Sequence, residues 1–176
     1  DGSRILFVSE DRLWLRVFEE KEPREVLGAA GAVVATWSPD GEWIAYSTLT
    51  ELYKSRPDGS SRTRLCQVSS DMHSWAGGMA WMEDGRIVFV PGDQGINSVS
   101  SNGGDPVVLV APDDGETDFH NVTALPGDRG LLFHPHVDMA FDSIDLFTGS
   151  ERRQLLRIEG QQLSSAVYAA GHVLFA

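Results

Sequence analysis

A short β run ending in an aromatic residue returns five times along this chain, and that beat narrows the available folds more than any other feature. The runs are Ile5-Leu6-Phe7, Ile44-Ala45-Tyr46, Ile87-Val88-Phe89, Leu131-Leu132-Phe133 and Val173-Leu174-Phe175. Their third residues lie 39, 43, 44 and 42 positions apart. A turn signal precedes each: Asp1-Gly2, Asp40-Gly41, Asp84-Gly85, Gly127-Asp128-Arg129-Gly130 and Ala169-Ala170-Gly171. In the fullest copy, Trp37-Ser38-Pro39-Asp40-Gly41, Pro39 presets φ for the turn and Gly41 accepts a positive φ. Before the turns come Ala35-Thr36-Trp37, Met79-Ala80-Trp81, Thr123-Ala124-Leu125 and Ala166-Val167-Tyr168, whose large last residues repeat at 44, 44 and 43.

The second half of each unit is looser. Leu13–Val17, Glu51–Lys54, Gly95–Val99 and Ser143–Leu146 read as third strands, the last three followed by polar, glycine-bearing turns at Pro57–Ser60, Asn102–Asp105 and Thr148–Ser150. Arg24–Leu27, Arg64-Leu65, Val107–Leu109 and Arg153–Leu156 read as fourth strands, with Arg and Glu suited to a sheet edge. Four short antiparallel strands in roughly 40 to 45 residues is the size of one propeller blade. No stretch of ten residues shows a helical period, and Ser69–Gly78 reads as a loop. A β-sandwich of evenly spaced strands is the rival, but it does not explain five turn-plus-aromatic signals in register. The expected fold is therefore all-β: a single β-propeller segment over residues 1–176, with repeats beginning near 2, 41, 85, 129 and 171. Counted this way, the chain opens and closes on a second strand. The expectation is an incomplete ring, or one completed by a partner, that self-associates through open blade edges.

Trp37-Ser38-Pro39-Asp40-Gly41 with Ile44-Ala45-Tyr46 resembles the WD40-like repeat of TolB-type propellers. Gly77–Trp81, Asn102–Pro106, Gly115–Thr117 with Leu125–Asp128, and Tyr168–Phe175 are similar to propeller segments attached to bacterial serine/threonine kinases. This resemblance covers essentially the whole chain. It implies a non-catalytic sensor or interaction module in a periplasmic or other extracytoplasmic setting, and it transfers no site residue. Only one repeat keeps the full Trp-Ser-Pro-Asp-Gly; the next reads Trp81-Met82-Glu83-Asp84-Gly85 and the fourth has lost the Trp.

Composition narrows the function. Apolar residues make up 41% of the chain, enough for packed cores. The net charge of −12 argues against nucleic acid and anionic membrane as partners. One cysteine, Cys66, excludes an internal disulfide and a cysteine-built metal site, and its place at a strand end suits a buried filler. No apolar run is long enough to insert in a membrane.

Few residues suggest chemistry. His134-Pro135-His136 sets two imidazoles two positions apart, with Asp138 close by and His120 upstream, so a metal is conceivable there. Pro135 is expected to end the Leu131–Phe133 strand, which would leave both as loop histidines; His73 and His172 stand alone. Asp113–Asp118 is an acidic loop without the EF-hand pattern, and Asn121-Val122-Thr123 matches a glycosylation acceptor by chance spacing. Trp37 and Trp81 occupy repeat positions and are expected in the core, whereas Trp75 beside His73 marks a possible binding loop. There is no nucleophile elbow, Walker loop or dinucleotide fingerprint, so neither a catalytic residue nor a cofactor is expected. The leading expectation is a non-enzymatic module binding a protein, peptide or small ligand. The alternatives are the gating propeller of a serine peptidase and a purely structural, self-assembling arc.

Overall fold

Among the described residues five antiparallel sheets follow one another, each a simple meander. The first holds β1 (Arg4–Ser9), β2 (Arg12–Val17) and β3 (Arg24–Glu25). The second holds β4 (Val34–Trp37), β5 (Ile44–Ser47), β6 (Glu51–Ser55) and β7 (Thr63–Gln67). The third holds β8 (Met79–Trp81), β9 (Arg86–Phe89), β10 (Ile96–Ser100) and β11 (Val107–Val110). The fourth holds β12 (Glu116–Ala124), β13 (Leu131–Val137), β14 (Phe141–Phe147) and β15 (Arg152–Glu159), and the fifth β16 (Ala166–Ala169) and β17 (His172–Phe175). This computed structural model describes residues 2–68, 78–92, 95–137, 141–159, 163 and 166–175. Each triplet of the repeat lies in the expected strand: β1, β5, β9, β13 and β17. The expected loop over Ser69–Gly78 falls, but for Gly78, outside the described residues. None of the described segments is a helix long and apolar enough to cross a membrane.

The turns form as their chemistry requires. Ser38 Oγ donates to Asp40 Oδ1 at 2.5 Å, Asp40 Oδ1 accepts from the Glu42 amide, and the Trp43 amide donates to Ser38 Oγ. The Ser38 hydroxyl, followed by the Glu42 amide, holds the Asp40 carboxyl below its usual range. Asp84 repeats the device one sheet later, accepting from the Arg86 amide at 2.9 Å. Side chains thus take up backbone donors that the turn leaves open. Arg4 of the first sheet lies 4.5 Å from the Trp37 ring centroid and donates to the Gly41 carbonyl, tying first sheet to second. Trp37 and Trp81 are therefore half-buried beside these turns, not fully in the core as their repeat position suggested.

Packing between sheets follows one rule. Side chains alternate across a strand, and in each triplet the first and third residues face the preceding sheet while the second faces the following one. Ile44 and Tyr46 pack on Leu13 and Leu15 of the first sheet. Ala45 turns the other way, into a cluster with Ile87 and Phe89 of the third. Val88 in turn meets Leu131 and Phe133 of the fourth, and Leu132 meets Ala166 and Val173 of the fifth. Four apolar clusters thus fill four junctions, with β4, β8, β12 and β16 adjacent from sheet to sheet. Each buried aromatic of this kind contributes about 1.5–3 kcal/mol by burial alone. Among the described residues no buried cluster joins the fifth sheet to the first, so the sheets form an open arc, the incomplete propeller that the repeat predicts. Cys66 sits inside the second junction, where burial pushes its thiol up to about 11.

One strand differs from expectation. β13 runs through Pro135 to Val137 and is flanked by β12 and β14 on both sides. Pro135 opposes Phe119 of β12, while the ladder to β14 skips residues 134 and 135, where proline supplies no N–H. His134 and His136 are thus strand residues, not loop histidines.

The sheets approach closely at the hairpin between β6 and β7. A Cβ on Gly59 (φ +86°) would lie 2.2 Å from the Leu27 carbonyl oxygen of the first sheet's outer segment. Gly149 (φ +95°), in the equivalent turn of the fourth sheet, has open space around it. Gly149→Ala should therefore cost only backbone strain of about 1–3 kcal/mol. Gly59→Ala should cost more, because Leu27 must move as well. Thermal unfolding of the two variants compares them, and equal losses would contradict this close approach.

Candidate functional site

The polar chemistry gathers on one face of the fourth sheet. β12 and β13 pair with Asp118 opposite His136, Phe119 opposite Pro135 and His120 opposite His134. Opposed residues share a face and neighbours alternate. Asp118, His120, His134 and His136 therefore share one face, while Phe119 and Phe133 take the other and meet edge to face at 5.0 Å. β14 adds Asp142, opposite His136, to the polar face.

Three of these side chains converge. His120 Nε2 lies 3.1 Å from His136 Nδ1. Asp118 Oδ1 lies 3.3 Å from the first and 3.4 Å from the second. The three side chains are 22%, 43% and 19% exposed in the order His120, His136, Asp118, so solvent reaches the group from one side. Among the described residues they form a group of His, Cys, Asp or Glu side chains placed to share an ion. His134 lies deeper, 4% exposed, and neither of its ring nitrogens has a hydrogen-bond partner. Burial, against the opposing pull of Asp142, lowers its pKa and favours the neutral ring. Nδ1 of His120 is likewise buried and unpartnered.

On the opposite face Arg152 organises the carboxylates. Its guanidinium meets Asp145 Oδ2 at 2.8 Å, both oxygens of Glu116, and Asp113 Oδ2 at 3.2 Å. It also lies 5.3 Å from the ring centroids of both Phe119 and Phe133. Burial disfavours charge on Arg152 and on Glu116, yet their mutual hydrogen bonds outweigh it, raising the one and lowering the other. The stretch 113–118, expected as a loop, is a loop only to Gly115, because Glu116–Asp118 open β12; Asp113 and Glu116 serve the arginine, and Asp118 meets the histidines. Asn121-Val122-Thr123 lies within β12, where Asn121 has a positive φ, Val122 is buried and Thr123 Oγ1 donates to the Ala166 carbonyl. That packing gives the acceptor pattern no free surface loop.

His134 and His136 are thus brought together with His120, as their spacing allowed. Asp138, and the possible binding loop of His73 and Trp75, lie outside the described residues. Asp118 and Arg152 were not singled out from the sequence. For Asp118 the signal existed: two pairs spaced by two, Asp118/His120 and His134/His136, in consecutive strands of one hairpin. A second feature, an open cleft of about 360 Å³, separates the Ser38–Asp40 turn from the Met82–Gly85 turn, with Trp43 and Trp81 on its walls.

No family model matches the chain, and no curated protein matches it in sequence. Solved structures do. A putative TolB from Agrobacterium tumefaciens superposes with a TM-score of 0.71 at 18% identity, covering 90% of this chain and 63% of that one. The fold is that of a TolB-like β-propeller. TolB from Acinetobacter baumannii gives 0.63 at 15% identity, over 82% of this chain and 37% of that one. The tricorn protease gives 0.65 at 13% identity, over 96% of this chain and 17% of that one. The chain therefore spans 63% or less of the length of these structures, and at such identities the likeness is one of fold alone.

The arginine cluster carries a direct test. Arg152→Met leaves Glu116 and Asp145 buried without their cation, a change that costs about 3–5 kcal/mol. The loss should shrink when Asp145→Asn is already present, because the two act through one network. Urea unfolding of the single and double variants measures both. A loss under about 1 kcal/mol for Arg152→Met would mean the carboxylates have other partners.

Proposed function

We propose that this TolB-like segment is a non-enzymatic interaction module, and that it interacts first through its own end sheets, with a second copy of the chain as occupant. The supporting observation is the pattern of exposure at the two ends. Ile5 and Phe7 of β1 hold the positions that elsewhere face a preceding sheet, and they are 47% and 39% exposed. Trp14 pairs with Phe7 and shares that face. Leu174 of β17 holds the position that elsewhere faces a following sheet; with its partner Val167 it is about half exposed, at 54% and 47%. At every internal junction the first kind of face packs on the second. The ends of two copies therefore offer each other the surfaces that the arc already uses four times.

Contact of this kind is head-to-tail: two different patches meet, and a copy joined at one end keeps the other end open. Exposed apolar faces on strands favour such association. Attachment to a bacterial kinase, which the stretches 77–81 and 102–106 suggest, would make the parent protein a sensor that such contacts could cluster. The tricorn likeness, being of fold, adds nothing specific in favour of a peptidase-gating role.

Sedimentation velocity tests this reading. The wild-type chain should grow in mass with concentration. Leu174→Asp and Phe7→Asp, each spoiling one end, should each be monomeric alone and form a one-to-one dimer when mixed. A wild-type chain that stays monomeric at its highest soluble concentration would overturn the proposal. So would a dimer that persists in either variant alone, since that requires like faces to pair.

A further inference from the structure

The triangle on the fourth sheet has the dimensions of a metal site. An imidazole nitrogen carries one in-plane lone pair or one N–H. It can satisfy one neighbour, yet His120 Nε2, His136 Nδ1 and Asp118 Oδ1 lie 3.1, 3.3 and 3.4 Å from one another. A single cation at their centre would satisfy all three. Zinc bonds nitrogen and carboxylate oxygen at about 2.0–2.1 Å, so two ligands at a tetrahedral angle stand roughly 3.3 Å apart. The observed edges bracket that value.

We propose that Asp118, His120 and His136 bind a divalent transition-metal ion of zinc type. Two imidazoles and one carboxylate suit zinc; calcium and magnesium prefer oxygen throughout. Asp118 and His136 are directly opposed across β12 and β13, and His120 stands two residues along on the same face, diagonal to His136, so strand pairing presets the geometry before any ion arrives. Three protein ligands leave a fourth tetrahedral position, which water or a ligand group fills from the exposed His136 side. His134 stays outside the triangle as a buried imidazole next to it, directly opposite His120. Thr117 Oγ1, 3.3 Å from Asp118 Oδ1 and 3.4 Å from the His136 carbonyl, steadies the carboxylate.

The test is zinc titration of chelator-stripped protein, followed by calorimetry and competition with a chromophoric chelator. One zinc per chain is expected, with calcium and magnesium failing to compete. His120→Ala and His136→Ala should each weaken binding by more than the roughly 10–100-fold that loss of an outer-shell partner costs. His172→Ala, at the exposed end of β17, should leave it unchanged. X-ray absorption of the zinc-loaded wild type keeps the idea falsifiable should a variant fail to fold. It should show nitrogen and oxygen near about 2.0–2.1 Å and no sulfur. Absence of stoichiometric binding, binding that survives both histidine substitutions, or a sulfur ligand would each overturn the proposal.

Discussion

A strand whose alternate side chains are apolar on both faces must be covered on both sides, and the whole arrangement rests on that requirement. Leu132 and Phe133 are neighbours in sequence, yet one packs on the fifth sheet and the other on the third. A sheet built this way cannot bury its core alone. It needs a neighbour before it and a neighbour after it, which is why a chain of such sheets propagates as a stack. Small residues share each seam with large ones: Ala45 belongs to one cluster with Phe89, and Ala80 to another with Phe119 and Phe133. Tight interdigitation of that kind sets the distance between sheets. The first and last sheets obey the same pattern with one side uncovered, and this leaves Ile5, Phe7, Val167 and Leu174 at the surface.

The blade plan could be read from residues because two local signals agree. Asp-Gly and Gly-rich turns punctuate the chain, and the alternation between them has the period of a strand. Ser38, Asp40 and Gly41 fix the turn through short-range hydrogen bonds, so the sequence window that predicts the turn also contains its causes. What escaped reading depends on partners distant in sequence. Arg152 meets Glu116 and Asp113 from 36 and 39 residues away. His120 meets His136 from 16 residues away, across a hairpin whose register no local rule supplies. Pro135 misled for a physical reason: it does interrupt one ladder, toward β14, while the ladder toward β12 carries on past it. The half-exposure of Trp37 also depends on a distant residue, Arg4, which takes the ring as a cation–π surface.

The polar site and the apolar stack are consequences of one difference in strand length. β13 and β14 are 7 residues long and β12 is 9, against 4 residues in β5 and β9. Leu131, Leu132 and Phe133 use up the portion of β13 that neighbouring sheets cover. His134 to Val137 continue beyond it. There, the face turned to the fifth sheet carries histidines and aspartates, and the other face carries Phe119 capped by the Arg152 network. On one face the extension lengthens the apolar seam through Phe119, and on the other it sets Asp118, His120, His134 and His136 side by side. A sheet that outgrows its neighbours gives a repeated frame room for a polar cluster without disturbing the stack.

The central claim is that neighbouring triplet residues belong to different junctions while residues some 45 positions apart share one. A pair of double-mutant cycles tests it most directly. Val88→Ala with Phe133→Leu crosses the junction between third and fourth sheets, whose cluster holds both residues. Val88→Ala with Phe89→Leu joins residues adjacent in sequence but turned to opposite sheets. A coupling of about 0.5–3 kcal/mol is expected in the first cycle, and a smaller one in the second, whose residues share a backbone but no apolar cluster. Strong coupling between Val88 and Phe89, with none between Val88 and Phe133, would contradict the claim.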